Sequence, residues 1–146
     1  MPGIIVGVDG SGHSQLALEW AMKEAALRHA PITVLTVRQA VRDNLGLVAN
    51  YADDSELTEK ARLATQAETE KVLAALGESR PESVTVKAVK GFPVEELITA
   101  SKDADMIVLG SRGAGGFDRL TMGSVSSQVA HHASCPVVIV RPGHRS

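Results

Sequence analysis

Short apolar runs rich in β-branched residues alternate along the chain with longer stretches rich in Ala, Leu and Glu. The run Ile-Ile-Val-Gly-Val at residues 4–8 is continuously apolar apart from its glycine, the pattern of a strand covered on both faces. Asp9-Gly10-Ser11-Gly12 breaks it. Over residues 14–29, Leu18, Ala21, Met22 and Ala25 recur at helical spacing, which predicts an amphipathic helix ended by Pro31, with Trp20 reading as core. Residues 32–37 supply a second strand, while residues 38–54 carry no clear period. A second helix is expected from near Asp53, capped by that side chain with Glu56 three residues on, running through Leu57, Ala61, Ala64, Val72 and Leu76 to a stop at Gly77. Residues 83–89 alternate and predict a half-exposed strand. Gly91 and Pro93 lead into a short helix over 94–102. Residues 106–109 read as a buried fourth strand, 124–132 as a last helix and 136–140 as a last strand.

Strands alternating with helices predict an α/β fold, a parallel sheet covered by helices on both faces, because parallel neighbours need crossover connections. In such open sheets ligands bind beyond the carboxyl ends of strands, where the strand order reverses. The two most loop-like strand ends, residues 9–12 and 110–116, are therefore expected to flank a site. No repeat, linker or low-complexity stretch interrupts the pattern, so residues 1–146 are expected to form a single domain.

Composition narrows the class. The chain has 146 residues, 44% of them hydrophobic, but aromatic residues make up only 3%, so the core must be aliphatic. A net charge of −2 gives no global attraction for nucleic acid or anionic lipid. Cys135 is the one cysteine and cannot form an internal disulfide, which fits a reducing compartment. The apolar runs are far shorter than the roughly 20 residues a membrane helix needs. Met1-Pro2-Gly3 carries no basic leader, so a cytoplasmic location is expected, with neither nucleic acid nor membrane as partner.

The chemistry lies in the stretch from Gly110 to Ser127, with five glycines between Gly110 and Gly123. Glycines at a strand end let the backbone turn tightly and bring N–H groups against a ligand. Gly123-Ser124 then opens a helix, whose unpaired N–H groups and positive dipole end favour phosphate. The same residues also suit a merely tight turn with a serine cap. No Gly-Lys-Ser/Thr follows the glycines, which excludes a P-loop, and the dinucleotide fingerprint would have to follow the first strand. His131 and His132 point about 100° apart on a helix and cannot share a metal as an i, i+4 pair does. His13 reads as a surface residue near the site, and Cys135 as a small buried filler. Asp9, His13 and Ser14 are too close in sequence for a catalytic triad.

Gly110, Gly113, Gly123 and Ser124 match the spacing G-x2-G-x9-G-[ST], and here the chain resembles the ATP-binding branch of the universal stress protein family. The resemblance extends from Ile4-Ile5-Val6-Gly7-Val8-Asp9-Gly10-Ser11, through Gly91-Phe92-Pro93, to Cys135-Pro136-Val137-Val138-Ile139-Val140-Arg141. It implies a three-layer, doubly wound, five-stranded parallel sheet of order 3-2-1-4-5, Rossmann-like and of the adenine nucleotide alpha hydrolase-like kind. It implies ATP, with or without Mg²⁺, between the ends of the first and fourth strands. Asp9 would hydrogen-bond the nucleoside, the Val37 backbone would meet the adenine edge, and Leu109 and Gly110 would line base and ribose. Gly113, Gly123, Ser124, Val125 and Ser126 would hold the phosphates. Arg112 or Arg119 could neutralise phosphate charge as a hydrogen-bonding fork. The resemblance also implies a homodimer through the apolar edge strand Val137–Val140. A role in stress response through nucleotide-dependent interaction follows. The alternatives are a weak ATPase using Arg112 or Arg119 with Asp118, a binder of another adenine nucleotide such as cyclic AMP, and a nucleotide-free interaction dimer.

Overall fold

A computed structural model describes residues 3–111 and 123–142. Among them the strands are β1 (Ile4–Val8), β2 (Ile32–Gln39), β3 (Val84–Gly91), β4 (Met106–Gly110) and β5 (Val137–Val140). The helices are α1 (Gly12–Arg28), α2 (Asp54–Leu76), α3 (Pro93–Ser101) and α4 (Ser124–His132), with a short 3-10 turn at Gly77–Ser79. The sheet order is β3-β2-β1-β4-β5 and every pair is parallel. The expected order 3-2-1-4-5 is therefore the observed one.

Two aliphatic layers hold the helices to the sheet. On one face Ile4, Val6, Val8, Ile32, Val34, Met106 and Val108 meet Leu18, Ala21, Met22 and Ala25 of α1 and Val72 and Leu73 of α2. On the other, Leu35, Ile107 and Leu109 meet Leu97 of α3 and Val129 of α4. Alternate strand residues feed opposite layers, so the strands that read as uninterrupted apolar runs are those covered on both sides. Trp20 is packed against the first layer, partly buried. Among the described residues, no helix is long and apolar enough to cross a membrane.

Several element ends differ from expectation for local reasons. α1 begins at Gly12, because the Ser11 hydroxyl caps it by accepting the Ser14 N–H at 3.2 Å. It ends at Arg28, with His29 in the left-handed region (φ 53°), before Pro31 is reached. Asp53 occupies the N-cap position of α2 but makes no side-chain cap bond. Asp54 does the local work instead: its carboxylate accepts from the Tyr51 N–H at 2.8 Å, from Arg38 at 2.6 Å and from Lys90 at 2.6 Å. Leu57, expected on the packed face of α2, is exposed.

Residues 38–54 are ordered by polar contacts that leave no hydrophobic period. β2 runs on to Gln39, and a small antiparallel bridge joins Arg42 to Val48. The Asp43 carboxylate accepts the N–H groups of Leu45 and Leu47, each at 2.9 Å. The Arg42 guanidinium lies over the Phe92 ring at 4.2 Å, and Lys90 reaches the Ala49 carbonyl at 2.6 Å.

Candidate functional site

The strand order turns in opposite directions from β1: α1 carries the chain outward to β2, whereas β4 lies on the other side of β1. The strand order therefore puts the switch point, where an open parallel sheet is expected to take a ligand, between the carboxyl ends of β1 and β4. Asp9 is the first residue past β1. Its Oδ1 accepts the Ser11 N–H at 2.9 Å, closing an Asx turn. Its own N–H donates to the Ser14 hydroxyl at 3.2 Å, and that hydroxyl donates to the Ser11 carbonyl at 3.1 Å. Gly10, between them, has φ 85°, a conformation for which glycine is suited.

Val37 and Leu109 reach the same edge from neighbouring strands. Val8 pairs with Thr36, so Val37 stands one residue further along, abreast of Asp9. The side chain of Val37 is half-buried against the second core layer. Leu109 is buried at 5% exposure, and a Cβ at Gly7 would meet its Cδ2 at 2.8 Å. Its side chain thus fills the space that Gly7 leaves, and its main chain is the part that reaches the carboxyl edge. Gly110 pairs with Val140 on one side and lies against the first turn of α1 on the other.

Because β4 and β5 are parallel and joined through α4, the N-terminus of α4 lies at the same carboxyl edge of the sheet. Gly123 is buried and adopts φ 71°, ψ 127° as the N-cap residue. Its carbonyl accepts the Ser127 N–H at 3.1 Å and the Ser126 hydroxyl at 3.2 Å. Helix geometry places the first-turn N–H groups, those of Ser124 and Val125 among them, at the positive end of the helix dipole. Ser124 is exposed, Val125 half-buried and Ser126 buried. The Ser126 hydroxyl donates to the Gly123 carbonyl, which ties that side chain to the helix start. Arg112, Gly113, Asp118 and Arg119 lie outside the described residues.

His13 differs from its sequence reading as a surface residue. It is half-buried, with Nδ1 enclosed and without a hydrogen-bond partner among the described residues. Cys135 is half-buried against the second layer, and burial pushes its thiol above the ordinary value, which keeps it protonated. Sequence reasoning missed Ser11 and Ser14. The signal was present in the spacing Asp9-x-Ser11-x-x-Ser14, whose residue types favour turns and caps.

Comparison with known proteins gives a consistent result. The model of the universal stress protein family matches residues 2–141. A universal stress protein of Mycolicibacterium smegmatis is 40% identical over 139 residues, covering 94% of this chain and 47% of that protein. The chain thus spans about half the length of the curated relatives it matches. The solved structure of universal stress protein UspA from Lactobacillus plantarum superposes with a TM-score of 0.76 at 27% identity, covering 96% of this chain and 97% of that one. Two further structures share the fold at lower identity. One is a universal stress protein in complex with cAMP (TM-score 0.66, 22% identity, 96% of each chain). The other is the universal stress protein from Archaeoglobus fulgidus in complex with dAMP (TM-score 0.61, 20% identity, 95% of this chain and 97% of that one). Five parallel strands in the order 3-2-1-4-5, and a match along nearly the whole chain, place it: the chain belongs to the universal stress protein family.

Proposed function

We propose that the chain binds ATP in the crevice between the carboxyl ends of β1 and β4, and acts in stress response through nucleotide-dependent interaction. The observation that carries this proposal is the convergence on one edge of Asp9, the main chain of Val37, Leu109 and Gly110, and the N-terminus of α4. Asp9 accepts from the nucleoside, Val37 meets the adenine edge, and Leu109 and Gly110 border base and ribose. Gly123, Ser124, Val125 and Ser126 hold phosphate through main-chain donors, joined by Gly113 and Arg112 from the adjoining segment. The role is one of binding, with hydrolysis at most slow. Residues 1–146 act as one unit, cytoplasmic, paired as a homodimer through β5.

Thermal unfolding against ATP, ADP, AMP, cyclic AMP and GTP tests the proposal. Ligand at 100 times its dissociation constant adds about 2.7 kcal/mol, which raises the midpoint by several degrees. ATP is expected to give the largest rise and GTP none. A midpoint unmoved by every adenine nucleotide would overturn it. A second reading keeps the site and exchanges the ligand for a monophosphate, and it is favoured by the cAMP and dAMP complexes of two proteins with this fold. A larger shift with AMP or cyclic AMP than with ATP would decide for it.

A further inference from the structure

The turn that carries Asp9 is closed by its own carboxylate together with the hydroxyls of Ser11 and Ser14. Ser14 is only 5% exposed, on the first turn of α1. Its hydroxyl oxygen accepts the Asp9 N–H at 3.2 Å while its proton goes to the Ser11 carbonyl at 3.1 Å. The Ser14 N–H is taken by the Ser11 hydroxyl at 3.2 Å, and the Ser11 N–H by Asp9 Oδ1 at 2.9 Å. Asp9 is therefore tied at both its main chain and its carboxylate. From the opposite side, the same helical turn packs so closely on Gly110 that a Cβ there would stand 2.6 Å from the His13 carbonyl oxygen.

We infer that Ser14 is a positioning residue for the nucleotide: it fixes the main chain of Asp9 so that the carboxylate is set before the ligand arrives. The inference rests on nucleotide binding at this crevice. Pre-ordering a recognition group removes the cost of ordering it on binding, so Ser14 contributes to affinity without touching the ligand. Truncating it to alanine removes the hydroxyl that accepts the Asp9 N–H and donates to the Ser11 carbonyl, and so loosens the main chain of Asp9 while the bond from the Ser11 N–H to its carboxylate stays. A role confined to helix stability would instead lower the unfolding midpoint and leave affinity as it was.

A double-mutant cycle read by calorimetric titration with ATP separates the two, using the full chain as wild type, Ser14→Ala, Asp9→Ala and the double variant. Ser14→Ala is expected to weaken ATP binding about tenfold. In the Asp9→Ala background the same change is expected to alter affinity by less than about twofold, because the group it positions is gone. Ser14→Cys fills nearly the same space with a weak acceptor, and provides the same reading if the alanine variant does not fold. It is expected to weaken ATP binding in the same direction. An affinity unchanged in a folded Ser14 variant, or a loss of equal size with and without Asp9, would overturn the positioning role. A wild-type chain that takes up no adenine nucleotide removes the proposed site itself, and this role with it.

Discussion

Gly110 and His13 approach so closely that a Cβ on the glycine would stand 2.6 Å from the histidine carbonyl oxygen and 3.2 Å from its Cβ. The contact is main chain against main chain, with no flexible side chain to yield, so the end of β4 and the first turn of α1 must separate if either grows. Gly110→Ala is expected to destabilise the fold by about 1–3 kcal/mol, the usual cost of overpacking. The unfolding midpoint should fall by several degrees. An alanine variant with the wild-type midpoint would show that the turn yields without cost.

The Asp54 cluster predicts how stability changes in acid. Hydrogen bonds from Lys90, the Tyr51 N–H and Arg38 hold its carboxyl at about 2, below the ordinary 3.8. Because the folded value is the lower one, the contribution is present above about pH 4 and is lost as pH falls toward about 2. Glu59, lowered by Arg62, acts with the same sign. Between neutral pH and about pH 2.5, the wild-type midpoint should therefore fall further than that of Asp54→Asn, which has no such carboxyl to protonate. Parallel midpoint curves for the two would remove Asp54 from the account.

How much of this was legible in the sequence depended on whether burial or hydrogen bonding shapes a segment. The strands of the core announce themselves because residues such as Val6, Ile107 and Val108 are wholly enclosed, so apolarity persists at each position. Residues 40–51 do not, since their order comes from Asp43, Arg42 and Lys90 bonding to main chain, which leaves no period to detect. The switch in strand order beside β1 was legible, through the alternation of strands and helices and the family resemblance. The details around it were not: the burial of the Leu109 side chain depends on the space over Gly7, and the direction of the Ser126 proton on the fold of α4. The capping exchange of Asp53 for Asp54 had the same origin, because Arg38 and Lys90 come from strands distant in sequence.

Gly123 combines a conformational demand with a chemical one. At φ 71° and ψ 127° a side chain is strained whatever space surrounds it, at a cost of about 1–3 kcal/mol. Gly123→Asp also puts a carboxylate at the end of α4 where the proposed phosphates lie. Its unliganded midpoint should fall, and the rise given by ATP should vanish. If the rise persists undiminished, the phosphates sit elsewhere.

The outer edge of β5 predicts how two copies would meet. Ile107 donates its N–H to the Pro136 carbonyl and Ser111 donates to that of Val140, so residues 136, 138 and 140 face β4. Alternation along a strand then directs the N–H and C=O groups of Val137 and Ile139 outward, at a sheet edge. A strand from a second copy would pair with these two residues across a two-fold axis. Ile139→Pro removes one outward donor while leaving the ladder to β4 intact, a place where an edge strand tolerates proline. Sedimentation equilibrium at tens of micromolar, roughly the range suited to micromolar affinity, should show a dimer for the wild type and a monomer for this variant. A monomeric wild type, or a proline variant that still dimerises, would move the interface away from β5.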